Sequence, residues 1–307
     1  QLRSDGTLRR TWPQRLLVAF NACVMVVALL AAGSLAYAKR TVSQIKRTTT
    51  APGLLKNAED LKPGEPENFL IVGVDSDDGL AADDPARAGR DTGREAVTGL
   101  RSDTIMIVRV DPKSTSASIL SFPRDLWVDI PGEGKNRINA AVTFGDGTPN
   151  LLIRTIKENF GIDISHYVQV DLAGFQGLVN VLGGIPIWFS TPVRDNHAGL
   201  HVDNAGCTNL DQNGALAYAR SRHFEYYDED RGRWVHDAAS DLARIDRQQD
   251  FIRRVIRRAI KQGWRNPTKL VSFVNIGVQN ITLDEFTSPQ DLITLGKRFR
   301  NFDPDSL

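Results

Sequence analysis

The apolar residues of this chain fall into one unbroken run near the N-terminus and then into short, spaced groups. From Leu16 to Ala38 the sequence LLVAFNACVMVVALLAAGSLAYA carries no charge, and Asn21 is its only strongly polar side chain. About 20 such residues in a helix span the hydrocarbon core of a bilayer. A buried core helix is the bland alternative, but the run has no polar face and is bracketed by Arg15 and by Lys39-Arg40. The reading is a transmembrane helix over 16–38. Ala36-Tyr37-Ala38 resembles a signal-peptidase site, yet the run exceeds the roughly 7–15 residues of a signal-peptide core, so an uncleaved anchor is expected. Arg3, Arg9, Arg10 and Arg15 before the run are matched by Lys39, Arg40, Lys46 and Arg47 after it, and charge counting leaves the orientation open.

Residues 39–66 are polar, with Thr48-Thr49-Thr50 and then Pro52, Pro63 and Pro66, a composition suited to a stalk. Beyond it Phe69-Leu-Ile-Val-Gly73, Thr104–Val110 and Ser116–Leu120 read as strands closed by turn residues. The insert 76–100, rich in Asp, Gly, Ala and Arg, is expected to be a mobile surface loop. Leu172, Phe175, Leu178, Val179 and Leu182 recur at helical spacing, Gly183-Gly184 stops that helix, and Ile185–Phe189 resumes as a strand. A longer helix is predicted from about Asp241 to Gln262, with Leu242, Ile245, Ile252, Ile256, Ala259 and Ile260 as its apolar stripe. On this wheel Asp241, Arg244 and Gln248 lie along the edge of the stripe, while Arg247, Arg254 and Arg258 face solvent. Interleaved strands and helices predict an α/β layered domain. The order expected is a cytoplasmic segment 1–15, the transmembrane helix, an extracytoplasmic stalk 39–66, a catalytic domain 67–300 and a tail 301–307.

Charge and composition narrow the chemistry. With 38 Lys+Arg against 37 Asp+Glu and a net charge of +1, the chain is no dedicated nucleic-acid binder. A domain beyond an anchor and stalk would not meet DNA in any case. The 2 cysteines are Cys23, inside the apolar run, and Cys207, which excludes an internal disulfide framework and a Cys-based zinc site. Abundant Arg and Ala with little Lys point to a high-GC, actinobacterial origin.

Asp75 follows the first strand in Gly73-Val74-Asp75, and Asp103 precedes the second in Arg101-Ser102-Asp103-Thr104. Carboxylates from neighbouring strand ends suit a hard cation such as Mg²⁺, or Mn²⁺ in its place, since Mg²⁺ takes one or two protein carboxylates and keeps waters. The alternative is two solvated turn residues. Asp75-Ser-Asp77-Asp78-Gly79 is no EF-hand loop, because its Gly comes one place early and Ala86 stands where the closing Glu belongs. Arginines recur at element ends: Arg124 in Ser121-Phe-Pro-Arg-Asp125, Arg137 in Asn136-Arg-Ile-Asn139, and Arg220 and Arg222, which share a face if residues 219–222 are extended. Arg244 and Gln248, half under the core, call for a partner, either an anionic ligand or Asp241. Guanidiniums beside two such carboxylates fit a pyrophosphate, since Arg forks bind phosphate oxygens bidentately. No Gly-x-Ser-x-Gly elbow and no Walker loop occurs. His197 and His201 with Cys207 make a weak zinc pattern, interrupted by Gly and Asn.

These blocks, in order, resemble the LytR-CpsA-Psr family of membrane-anchored glycopolymer transferases. The match covers Phe69–Asp75, Arg101–Thr104, Ser121–Asp125, Arg137–Ala140, Gly161–Tyr167 with Val170–Gly184, Ala215–Arg222 and Asp241–Gln249. The resemblance implies an αβα sandwich around a mixed or antiparallel sheet, with an apolar groove for a lipid tail. The helix 172–182 with Ile185, Ile187 and Trp188 is a candidate wall for that groove, against plain core packing. It implies a phosphotransferase, held to the cell membrane by a single pass, that moves a phospho-glycopolymer from a polyprenyl-pyrophosphate carrier onto a peptidoglycan hydroxyl such as the 6-OH of muramic acid. Asp75 and Asp103 would hold the metal. Arg101, Arg124, Arg137, Arg220, Arg222, Arg244 and Gln248 would bind the pyrophosphate, and Arg124, Arg220, Arg222 and Arg244 would also stabilise the transition state. Rivals are a pyrophosphatase acting on the same donors and a non-catalytic wall- or lipid-binding regulator. Two departures stand out: Gln212 occupies the family's usual Gly, with Gly214 two places later, and no aromatic follows directly after Ala140-Ala141.

Overall fold

In the computed structural model the described residues are 45–56, 64–76, 80, 84, 102–111, 113, 114, 116–263 and 280–287. The apolar run 16–38, Arg101 and the tail 301–307 lie outside them. Among the described residues no helix is long and apolar enough to cross a membrane.

The strands are β1 (Lys46–Thr48), β2 (Glu67–Val74), β3 (Ser102–Asp111), β4 (Ser116–Phe122), β5 (Trp127–Ile130), β6 (Gly134–Arg137) and β7 (His166–Val170). They continue as β8 (Ile185–Phe189), β9 (Val193–Asp195), β10 (Leu200–Val202), β11 (Gly206–Leu210), β12 (Glu225–Asp228), β13 (Arg233–His236) and β14 (Ile281–Asp284). The helices are α1 (Ala140–Thr143), α2 (Asn150–Phe160), α3 (Leu172–Leu182), α4 (Gln212–Arg220) and α5 (Ser240–Gly263).

The central sheet has 6 strands in the order β1-β14-β7-β2-β3-β4. β1 runs parallel to β14 and β2 parallel to β7, while the other pairs are antiparallel, so the sheet is mixed. Period-two alternation places its faces. Leu70 sits opposite Ile107 and Val72 opposite Ile105, and these side chains pack with Leu152, Ile153 and Ile156 of α2 into the main core. Phe69 opposite Val108 turns to the other face, where Val110 and Ile71 join it. A second core gathers Val179 and Leu182 of α3, Ile185 and Ile187 of β8, Ala215 and Tyr218 of α4 and Phe251 of α5. The predicted helix over 171–182 and strand Ile185–Phe189 are present. Asp171 caps α3 by accepting from Gly174 N at 2.7 Å, and Gly183 closes it at φ +71. A Cβ on Gly184, at φ +85, would meet the Leu210 carbonyl at 2.8 Å, so glycine is required there.

The segment read as stalk contributes part of this sheet, which corrects the boundary at residue 66. β1 pairs with β14, and Arg47 Nη1 reaches the carbonyl oxygens of Asp284, Glu285 and Thr287 at 3.0, 3.2 and 2.9 Å. Glu285 accepts from Thr50, and Leu55, 3% exposed, enters the main core. Of the insert 76–100, Leu80 packs on Leu172 and Leu216, and Asp84 accepts from Gln176 at 3.1 Å. Its other residues past Ser76 lie outside the described residues.

A buried acid–histidine group ties β2, β7 and β14 together. His166 lies 3.7 Å from Glu67 and from Asp284, 2.9 Å from Thr287 Oγ1, and stacks on Phe69. Burial alone would lower its pKa, but the hydrogen bonds and charges of Asp284 and Glu67 outweigh burial and raise it to about 9. A raised folded pKa means the stabilisation is complete below the ordinary histidine value of 6.5 and disappears as pH rises through about 9. The loss expected is about 3 kcal/mol. Urea unfolding midpoints between pH 6 and pH 10 should fall for the wild type and lose most of that slope in His166→Gln.

Candidate active site

The strand ends predicted to carry chemistry come together through a β-bulge. Gly73 pairs with Thr104 but Val74 pairs with Ser102, so Asp103 is the extra residue of β3. Such a residue leaves the ladder and is re-aimed. Ser102, fully buried, braces the kink with its Oγ 2.9 Å from the Gly73 carbonyl and 2.8 Å from that of Thr104. Asp75 lies just past the end of β2.

Arginines from three other segments converge on these carboxylates. Arg124 Nη1 donates to Asp103 Oδ1 at 2.7 Å, and Arg222 Nη2 lies 3.0 Å from Asp103 Oδ2. Arg220 Nη2 lies 3.7 Å from Asp75 Oδ1. Arg244, only 1% exposed, sits within electrostatic reach of Asp103. Burial pushes the Asp103 pKa up, but Arg222, Arg124 and Arg244 more than reverse that and hold it below its ordinary value. Burial likewise opposes the charge on Arg124, whose pKa is nonetheless raised by Asp103 and Asp125. Arg137 pairs with Asp125 at 3.0 Å, and Arg124 holds the same carboxylate at 3.2 Å, so Arg137 joins the cluster through Asp125. The side chain of Asp241, the alternative partner for Arg244, is outside the described residues.

Gln248 and Arg247 act on the backbone beside the site. Gln248 Nε2 donates to the Ala219 carbonyl at 3.2 Å, and Arg247 Nη2 donates to the Ser221 carbonyl at 2.6 Å. Arg220 ends α4, and Ser221, at φ −58 and ψ 125, turns the chain so that Arg220 and Arg222 reach different carboxylates. Arg247, expected to face solvent, is 7% exposed, whereas Leu242, expected in the apolar stripe, is 64% exposed. The inward face of α5 runs Arg244, Arg247, Gln248, Phe251, so its first turns present polar groups to the site. Arg254 and Arg258 are not free in solvent either: they donate to the carbonyls of Pro186 and Leu182 at 2.8 and 2.7 Å.

Asp195 escaped the sequence analysis. It is 1% exposed, and its Oδ2 accepts from Ser221 Oγ at 2.6 Å, Arg222 N at 3.0 Å and His223 N at 2.9 Å, while Oδ1 accepts from His197 N and Ala198 N. Burial would raise its pKa, but these bonds hold it below the ordinary value. A carboxylate in Val-Arg-Asp-Asn carries no local signal for this role. The Gln212 departure is also resolved: Asp211 caps α4 by accepting from Gly214 N at 2.8 Å, a turn that needs no glycine at Gln212. The candidate lipid-groove wall is partly core, since Val179, Leu182, Ile185 and Ile187 are buried, while Phe175 and Leu178 are half-buried and Trp188, 68% exposed, faces out.

The donor set suits a hard divalent cation, because Asp75 and Asp103 offer only oxygens. Each carboxylate has about four lone-pair sites, so their guanidinium contacts leave acceptor capacity. Arg124, Arg220, Arg222 and Arg244 outnumber the two aspartates, and the surplus positive charge suits an anion rich in oxygens.

Comparison with known proteins identifies the family of the chain. The profile of the LytR_cpsA_psr family matches residues 32–307. "Probable cell wall biosynthesis protein LcpB" of Corynebacterium glutamicum is 34% identical over 71% of the chain, which spans 48% of that relative's length. "Polyisoprenyl-teichoic acid--peptidoglycan teichoic acid transferase TagU" of Oceanobacillus iheyensis is 29% identical over 95% of this chain and 83% of its own. Among solved structures, the "LytR-Csp2A-Psr enzyme from Actinomyces oris" superposes with a TM-score of 0.61 at 28% identity, covering 76% of each chain. The chain belongs to the LytR_cpsA_psr family.

Proposed function

We propose that this protein is a phosphotransferase that moves a phospho-glycopolymer from a polyprenyl-pyrophosphate carrier onto a peptidoglycan hydroxyl. The observation that carries the reading is Asp103 on its bulge, gripped by Arg124 and Arg222 with Arg244 buried behind. The relatives' names, a cell wall biosynthesis protein and a teichoic acid transferase, support the glycopolymer class. The apolar run 16–38 would anchor the chain in the cell membrane, with the domain outside, where a lipid-linked donor and the wall meet.

Asp75 and Asp103 would hold Mg²⁺, which when bound supplies a Lewis acid for phosphoryl oxygens. Arg124, Arg220, Arg222 and Arg244, with Arg137 joined through Asp125, bind and orient the pyrophosphate and neutralise its charge, and Arg101, outside the described residues, is proposed to assist them. The acceptor hydroxyl oxygen attacks the glycan-side phosphorus, the bond from that phosphorus to the bridging oxygen breaks, and polyprenyl phosphate leaves with that oxygen. The hydroxyl proton passes to solvent. Such catalysis is positioning and preorganised electrostatics.

The test is release of polyprenyl phosphate from a polyprenyl-pyrophosphate glycan by the whole chain. Release that requires Mg²⁺ and stops with a chelator is expected. Tight donor binding without release at any metal concentration would instead make the protein a non-catalytic binder. Release unaffected by chelation would remove the metal from the account.

A further inference from the structure

Beside the arginine cluster the structure holds a second, chemically different feature. Where β8 gives way to β9 and β12 crosses β9, an open cleft of 530 Å³ is lined by Trp188, Ser190, Thr191, Phe224, Tyr226 and Arg247, among others. Trp188 is 68% exposed and Tyr226 38% exposed, so two large aromatic faces stand at its rim. Rings left open to solvent beside a cleft are a recognition surface rather than core. The floor is polar. Arg247 lies over the Phe224 ring at 4.6 Å and is tied to Ser221 and Asp237, yet its buried Nε has no hydrogen-bond partner among the described residues. A buried donor left without an acceptor is unfavourable, and its place in the lining points to a ligand oxygen.

Flat aromatic faces, hydroxyls from Ser190, Thr191 and Tyr226, and the Arg247 side chain in the lining suit a ring with C–H bonds on its faces and polar groups at its edge. That describes a pyranose. A polyprenyl chain calls for aliphatic walls and no cation. We infer that the cleft binds the N-acetylated sugar rings of the acceptor glycan, with Trp188 and Tyr226 as stacking faces and the Arg247 side chain as the donor for an acetamido carbonyl oxygen. The identity of that glycan rests on the transferase reading. The acceptor is a long polymer that needs holding beyond the single residue attacked, and Arg247 links the cleft to Ser221, next in sequence to Arg222.

The experiment is calorimetric titration of the whole chain in phospholipid nanodiscs with a tetrasaccharide of alternating N-acetylglucosamine and N-acetylmuramic acid, and separately with polyprenyl phosphate. Trp188→Ala and Tyr226→Ala are each expected to weaken tetrasaccharide binding about tenfold, the scale of losing one aromatic anchor. Polyprenyl phosphate affinity should not change, and Asp103→Ala should still bind the tetrasaccharide. No binding by the wild type, equal binding by both variants, or loss of polyprenyl phosphate binding instead would each overturn the inference. If the donor-release test fails while glycan binding still depends on Trp188, the cleft stands and the transferase reading falls.

Discussion

Asp103→Ala is expected to lower the rate of glycan transfer by about 10²–10³-fold, the scale on which removal of one preorganised electrostatic group acts. Asp103 orders the site from its centre. Its two oxygens hold Arg124 and Arg222 at 2.7 and 3.0 Å, and its charge interacts with that of Arg244. Without it Arg124, Arg222 and Arg244 lose the carboxylate they share, Asp125 on Arg124 and Asp75 on Arg220 are the carboxylates that remain in the cluster, and one proposed metal ligand is gone. The fold should survive. Asp103 is 37% exposed at its side chain, and partly exposed ion pairs contribute about 1 kcal/mol or less. The expected pattern is therefore a large fall in kcat with thermal unfolding nearly unchanged. Asp103→Asn separates the two roles: it keeps a hydrogen-bond acceptor for Arg124 but loses the charge, and should be nearly as inactive as the alanine variant. An Asn variant with near wild-type turnover would assign Asp103 to geometry alone.

Asp195→Ala is expected to damage stability and activity together. The carboxylate is 1% exposed and accepts from five donors, four of them backbone N–H groups or a hydroxyl on the segments 197–198 and 221–222, the fifth His223 N. Truncation strands these donors in the interior at a cost of about 3–5 kcal/mol. For a domain of this size that is a fall in Tm of roughly 10 °C. Arg222 is also released from the turn that delivers it to Asp103. Below the lowered Tm, with the chain still folded, KM for the donor should rise. Asp195→Asn, which retains one acceptor oxygen, should recover part of the stability. A Tm unchanged in Asp195→Ala would show that water replaces the carboxylate and that the turn holds itself.

How much of this was legible in the sequence follows from where apolar pattern and chemistry coincide. β2 and β3 are short apolar runs buried at consecutive positions, β4 alternates, and α3 with β8 is punctuated by Asp171 and Gly183-Gly184, so each was read nearly to its ends. Asp75 and Asp103 were readable because they flank those strands. The bulge that aims Asp103 was not, since it appears only as a shift in pairing. On α5 hydrophobic periodicity selected Leu242 and put Arg247 in solvent, while it placed Arg244 and Gln248 only at the edge of the stripe, because the helix turns charged groups inward where it meets the site. β1 and β14 escaped because Lys46-Arg47-Thr48 and Ile281–Asp284 are short segments whose places are set by each other, by β7 and by Arg47. Asp195 needed the fold itself: its partners lie 26 to 28 residues away at 221–223.

The central claim is that a sugar hydroxyl, not water, receives the phospho-glycan. Mass spectrometry of a defined peptidoglycan oligomer after incubation with the whole chain, Mg²⁺ and a polyprenyl-pyrophosphate glycan tests it directly. The account predicts an oligomer heavier by one glycan phosphate, joined through a phosphodiester, with polyprenyl phosphate released in equal amount and neither product formed by Asp103→Ala. An unmodified oligomer beside free glycan phosphate would contradict it and make the protein a hydrolase of the same donor.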